Sequence, residues 1–186
     1  GQLVNYEELK AMLEDGGSTF SSLSDTEVIL KLIVKKFIEN GGKPGSDNKE
    51  HYYSKENQKI FIEAVIQTSK LIKGSFALCI MTENMLIGVR DPYGIRPLCL
   101  GVLNDEISDK TDSNNASKGY IITSESCAID AVNAKFVRDI KPGEIVVVTR
   151  EGFQSIPNTE KVSKQTCIFE YVYFARPDSI VDGASV

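Results

Sequence analysis

The sequence predicts an α+β layered domain, and two observations carry that prediction. Up to about residue 73 the apolar residues recur at helical spacing, whereas from Ser75 onward they fall in short continuous runs bounded by turn residues. The order is therefore helices first, then mainly antiparallel strands on short connections. That order excludes the alternating strand and helix rhythm of a doubly wound fold.

The elements follow one by one. Leu9, Met12 and Leu13 place a short helix over 6–14, with Asn5 and Glu8 spaced as a cap and its partner and Gly16-Gly17 closing it. Ser24-Asp25-Thr26-Glu27 has the form of a capping box, and Val28, Ile29, Leu32, Ile33 and Phe37 then mark one face of a second helix over 25–38. Residues 40–50 are a loop by composition, and Ile60, Phe61, Ala64, Val65, Leu71 and Ile72 define a third helix over 57–73. The runs 76–81 and 85–89, joined by Thr82-Glu83-Asn84, read as a buried hairpin, too continuous for a sheet wetted on one face. Asp91-Pro92-Tyr93-Gly94 is a tight turn into a strand over 97–102, and 103–118 is a polar, exposed insertion. A strand over 120–123 precedes a brief helix from Ser126 through Val132. Lys141-Pro142-Gly143-Glu144 then turns into the β-branched strand 145–148, which Glu151-Gly152 sends back. The last expected strand is 168–174, ended by Pro177.

Composition bounds the function. The 186 residues carry 21 Lys and Arg against 26 Asp and Glu, and 41% are hydrophobic, which is enough apolar material for one globular core and excludes disorder of the whole chain. No apolar run approaches the roughly 20 residues a membrane-spanning helix needs, and there is no signal segment, so no membrane partner is expected. The cations are scattered, without the basic stripe of a nucleic-acid binder. Cys79, Cys99, Cys127 and Cys167 are widely spaced and His51 is the one histidine, which argues against a self-contained zinc site or a histidine-based catalytic triad. Reduced thiols and a cytoplasmic location are the expectation. The chain begins at Gly1 without a methionine and stops within Val-Asp-Gly-Ala-Ser-Val, so it reads as a fragment.

Four stretches taken together are more specific than any one of them. They are Gly1-Gln2-Leu3-Val4-Asn5, Ser24-Asp25-Thr26-Glu27-Val28-Ile29, Arg90-Asp91-Pro92-Tyr93-Gly94-Ile95-Arg96-Pro97-Leu98, and the run from Phe169 through Ala175-Arg176-Pro177-Asp178-Ser179. The chain resembles the amidophosphoribosyltransferase family, glutamine-dependent enzymes of purine synthesis. The first three stretches recur more loosely in other class II glutamine amidotransferases, and the fourth points to this family. The resemblance covers essentially the whole chain.

The resemblance implies a four-layer αββα sandwich of the N-terminal-nucleophile (Ntn) hydrolase type, incomplete at its N-terminus. It implies a glutaminase domain over 1–166 and a junction over 167–186 leading into a phosphoribosyltransferase domain. The family's nucleophilic cysteine would lie upstream of Gly1, its terminal amine serving as base, so residues 1–186 alone are expected to be inactive. Gly1 matches the glycine of an Asn-Gly oxyanion-hole motif. Asp25 matches a carboxylate that accepts a hydrogen bond from the α-amino group of glutamine, while capping of the second helix is its alternative reading. Cys167 matches the first thiolate ligand of a 4Fe–4S cluster found in some members, with a small buried hydrophobe as the alternative. Magnesium is expected only with the phosphoribosyltransferase domain. Glutamine, and phosphoribosyl pyrophosphate through that domain, are the implied partners, together with a second copy of the chain in a homo-oligomer. The Arg90–Leu98 stretch is read as a structural turn whose arginines pair with acids. Another class II amidotransferase, or a non-catalytic α+β interaction domain, is the competing reading.

Overall fold

The computed structural model describes residues 3–44, 54–103, 119–157 and 162–186, which form two compact units, residues 1–74 and 75–186. Gly1, His51 and all of the expected insertion over 103–118 except Leu103, which ends a strand, lie outside the described residues, as does most of the loop expected over 40–50.

The first unit is helical: α1 (Tyr6–Asp15), α2 (Asp25–Glu39) and α3 (Lys55–Leu71). α2 packs on both α1 and α3, and Phe37 of α2 meets Phe61 of α3 edge to face, with centroids 5.8 Å apart. Leu13, Val28, Leu32 and Ala64 are fully buried, as the helical spacing requires. Asn5 does not cap α1. Its side-chain amide donates to the Leu71 carbonyl at 3.0 Å and its oxygen accepts from the Lys73 amide at 2.9 Å, which ties the start of α1 to the end of α3. A long-range pair of backbone groups left free at the end of α3 outbids the local cap.

The second unit holds two antiparallel sheets. β1 (Ala77–Met81), β2 (Leu86–Arg90), β6 (Ile145–Thr149) and β7 (Gly152–Ile156) form one in that order; β4 (Tyr120–Thr123), β3 (Cys99–Leu103) and β5 (Ala134–Asp139) form the other. Leu100, Ile140, Val146 and Val148 make a core into which Ala77, Leu86, Tyr120 and Ile122 pack, so the two sheets face each other. The approach is close at Gly88, where an added Cβ would lie 3.1 Å from Ile122. Helix α4 (Ser126–Ala131) covers the far side of the second sheet, its Ile129 lying over Gly101. The mixed α and β content and the antiparallel sheets agree with the α+β class.

The expected hairpin forms, pairing Ala77 with Arg90 through Met81 with Leu86. β2 and β6 are buried on both faces. β1 is not: as an edge strand it leaves Cys79 and Met81 exposed, so a continuous apolar run did not guarantee burial at the edge. β5 was not expected. Its exposed Phe136 and Val137 alternate with nothing buried, and pairing with β3 is what makes it a strand. The expected strand 168–174 is instead a helical segment with a π-turn over Glu170–Phe174, closed by the Ala175 amide donating to the Glu170 carbonyl at 2.8 Å. Phe169, Tyr173 and Phe174 there stay exposed, while the hydroxyl of the half-buried Tyr171 donates to the Val181 carbonyl at 3.3 Å and the buried Glu170 carboxylate pairs with Arg96. That ion pair, rather than alternation, sets the local conformation. Beyond it, β8 (Ile180–Val181) and β9 (Ala184–Ser185) make a short hairpin through Asp182-Gly183, both at positive φ.

Arg90 ties these parts together. Its side chain is 1% exposed, and Nε donates to the Arg96 carbonyl, Nη1 to the Ile140 carbonyl and Asp182 Oδ1, and Nη2 to the Gly94 carbonyl and Asp182 Oδ2, all at 2.6–2.8 Å. Burial would raise the Asp182 carboxyl; hydrogen bonds from Arg90 and Lys164 outweigh it and hold the group below its usual range. Asp182→Ala leaves a buried guanidinium without its counter-charge and is expected to cost about 3–5 kcal/mol in urea unfolding. Because the folded carboxyl sits below its unfolded value of about 3.9, its contribution is complete above that pH and is lost as the pH falls through the folded value. Unfolding midpoints of Asp182→Ala should thus change less between pH 6 and pH 3 than those of the parent chain. Equal acid sensitivity of the two would remove Asp182 from the account.

Candidate functional site

The start of α2 gathers the polar groups of the first unit. Ser24 has extended backbone angles and its hydroxyl accepts from the Thr26 amide at 3.3 Å, so Ser24 is the N-cap. Glu27, expected to reach back to the Ser24 amide, reaches further. Its carboxylate accepts from the amides of Ser21 and Ser22 at 2.8–3.2 Å and from the Ser22 hydroxyl at 2.7 Å. Those hydrogen bonds, led by the Ser21 amide and the Ser22 hydroxyl, pull its carboxyl down to about 2. The Ser24 amide donates instead to the Ser22 hydroxyl at 3.2 Å.

Asp25 is half-buried, and Oδ2 accepts from the Leu3 amide at 2.5 Å. Oδ1 receives no hydrogen bond from the described residues. Asp25 is therefore not the cap; it holds the segment that follows Gly1 against the first turn of α2. Among the described residues one oxygen is engaged, and the other has acceptor capacity for a cation.

Cys167 is half-buried in the second unit just before the π-turn, and the Glu170 amide donates to its carbonyl at 3.1 Å. The other thiols sit on separate elements, Cys79 on β1, Cys99 on β3 and Cys127 on α4. Among the described residues no three His, Cys, Asp or Glu side chains come together as a metal site, so a cluster on Cys167 needs ligands from elsewhere. The segment that follows the π-turn is well anchored. Glu125 accepts from the Arg176 amide at 2.8 Å and the Ser179 hydroxyl at 3.0 Å, and the Ser126 hydroxyl accepts from the Ile180 amide at 2.8 Å. In the Arg90–Leu98 stretch every guanidinium N–H of Arg90 is engaged by protein. The Asp91 carboxylate, fully buried, accepts from the amides of Tyr93, Ile95 and Arg96.

A family model described as a glutamine amidotransferase domain matches residues 1–108. The chain belongs to the glutamine amidotransferase domain family. Beyond the matched region, the whole chain is similar to amidophosphoribosyltransferases: 37% identical over 186 residues to the one from Archaeoglobus fulgidus and 34% to the one from Bacillus subtilis. It covers 34% and 32% of those proteins, and so spans about a third of their length. The solved structure of glutamine phosphoribosylpyrophosphate amidotransferase from B. subtilis, complexed with ADP and GMP, superposes with a TM-score of 0.75 at 32% identity, over 99% of this chain and 33% of that one. A structure described as the allosteric regulatory enzyme of purine biosynthesis superposes equally well.

Within this amidotransferase domain, the resemblance had marked Asp25, and geometry adds its bond to Leu3. Sequence reasoning missed Glu27 as anything but a capping partner. The signal was the serine pair Ser21-Ser22 ahead of the cap, whose amides need an acceptor. In the same domain Cys99 is 2% exposed, and burial, reinforced by the Asp139 charge, pushes its thiol up to about 12. Iodoacetamide at pH 8 is expected to alkylate the exposed Cys79 long before Cys99, as read by peptide mass spectrometry. Prompt labelling of Cys99 in the folded protein would contradict the burial.

Proposed function

We propose that residues 1–186 are the glutamine-hydrolysing part of an amidophosphoribosyltransferase. The observation that carries this is similarity over all 186 residues, through the Phe169–Ser179 stretch that lies beyond the residues shared with amidotransferase domains in general. In this reading a cysteine preceding Gly1 attacks the glutamine carboxamide, its terminal amine takes the thiol proton, and the resulting thioester is hydrolysed. Gly1 donates to the developing oxyanion. Asp25 accepts from the α-ammonium of glutamine through its free oxygen, which selects the end of the substrate that stays outside the reaction. The released ammonia displaces pyrophosphate from phosphoribosyl pyrophosphate in a separate phosphoribosyltransferase domain, with magnesium, giving 5-phosphoribosylamine. Residues 167–186 form the junction to that domain. The proposed enzyme is a cytoplasmic homo-oligomer without nucleic-acid or membrane partners. Among the described residues no helix is long and apolar enough to cross a membrane.

Cys167 is proposed as one of four thiolate ligands of a 4Fe–4S cluster, the other three coming from outside residues 1–186. Its own contribution is a thiolate just before a π-turn whose exposed aromatic side chains could shield such a group from water.

Asp25→Asn keeps the size of the side chain and removes the charge. Loss of a charge-assisted hydrogen bond is worth roughly 1.5–3 kcal/mol, so in the full-length protein kcat/KM for glutamine should fall about ten- to a hundredfold, while synthesis from free ammonia persists. Unchanged glutamine kinetics with a lowered melting temperature would make Asp25 a purely structural tie to Leu3. For the cluster, anaerobically purified full-length protein should contain iron that Cys167→Ser reduces and Cys79→Ser leaves alone. Iron-free parent protein would return Cys167 to a packing role.

A further inference from the structure

Glu27 is the one carboxylate of the α2 start that neither caps the helix nor faces the proposed substrate. It points back at the loop that delivers Asp25. Its two oxygens accept from the Ser21 amide at 3.0 and 3.2 Å, the Ser21 hydroxyl at 3.3 Å, the Ser22 amide at 2.8 Å and the Ser22 hydroxyl at 2.7 Å. The Ser22 hydroxyl in turn accepts from the amide of Ser24, the N-cap, which immediately precedes Asp25. Among the described residues, Glu27 is the sole acceptor for the amides of Ser21 and Ser22. Lys31, one turn on, approaches the same carboxylate at 3.6 Å with its ammonium 5.3 Å from the Phe20 ring, which closes the loop on its other side.

We propose that Glu27 is a positioning residue for glutamine binding, which fixes residues 21–24 and so presets the direction in which Asp25 presents its free oxygen. The inference rests on the reading of Asp25 as the contact to the α-ammonium. Helix initiation does not need Glu27, because the Ser24 hydroxyl already caps α2. What needs it is the loop. Donors converge on both oxygens, and a loop without that acceptor can adopt several entries into Ser24. A charge-assisted contact reaches its full strength only when the carboxylate is held in place beforehand, and a shift of about 1 Å is enough to lose much of it.

The charge and the acceptor-only character of the side chain are both required. A glutamine side chain has the same shape, but whichever way its amide is turned it presents an NH2 to at least one serine amide. In the full-length protein, Glu27→Gln is therefore expected to raise the KM for glutamine about tenfold with kcat within about twofold, and to leave ammonia-dependent synthesis unchanged. Ser22→Ala, at an exposed position, removes one donor to Glu27 and the acceptor of the exposed Ser24 amide, and should raise the same KM by a smaller factor, about two- to fivefold, without a change in melting temperature. If Glu27 acts through Asp25, the Asp25→Asn, Glu27→Gln double variant should be no worse in kcat/KM than Asp25→Asn alone.

The outcomes separate the two claims. A KM raised by Asp25→Asn but unmoved by Glu27→Gln and Ser22→Ala overturns the positioning role and leaves the Asp25 assignment standing. Multiplying effects in the double variant also overturn it, because Glu27 would then act independently of Asp25. A KM unmoved by Asp25→Asn removes the assignment itself, and the positioning role with it. Should Glu27→Gln fail to fold, Ser22→Ala decides alone: a raised KM supports the proposal and an unchanged one refutes it.

Discussion

A buried guanidinium with all its donors engaged is the constraint on which the second unit depends. Arg90 closes the central strand β2 at 1% exposure, where an uncompensated charge would cost several kcal/mol. Each of its five N–H groups must therefore meet an acceptor. The turn after β2 must aim the Gly94 and Arg96 carbonyls inward, the Ile140 carbonyl must face it, and Asp182 must sit in a left-handed turn at φ +50. Gly94 shows how tightly this is drawn: at φ +66 an added Cβ would fall 2.6 Å from Pro142. The Arg90–Leu98 stretch is thus accounted for by packing and hydrogen bonding.

Two carboxylates solve the same problem in the same way. Asp91 is fully buried, with one oxygen shared by the amides of Tyr93 and Ile95 and the other taken by Arg96. Glu144, 2% exposed, accepts from Arg138 through both oxygens, from the Lys141 amide and from the Ser155 hydroxyl. These groups have their hydrogen-bonding capacity spent on the fold. Asp25 differs, being half-buried with one oxygen engaged and the other left over among the described residues. Spare acceptor capacity on a fixed element is what the proposed role of Asp25 requires and what Asp91 and Glu144 lack. Asp25 and Glu27, two residues apart on one helical turn, bond in different directions, one toward Leu3 and the other toward the loop.

Much of this was legible in the sequence because the determinants are local. The apolar stripe of α2, the β-branched run of β6 and the Pro142-Gly143 turn each carry their signal within a few residues, and each formed near its expected bounds. The short hairpin at Asp182-Gly183 carries a local signal too, its Asp-Gly pair. Of the site, Asp25 was reached through resemblance, since an acid in the first turn of a helix is equally explained by the helix dipole.

What only the tertiary structure decided lies where a distant partner outweighs local preference. Asn5 left its cap position for the end of α3, 66 residues away. Glu170 took Arg96, 74 residues back, and the expected strand around it became a π-turn. β5 exists because β3 offered it an open edge, and the tie of Asp25 to Leu3 joins residues 22 apart. Periodicity reports which face of an element avoids water, and so by itself it determined the class of fold. It carries no information about which polar groups will meet across the chain, and on those meetings the site depends.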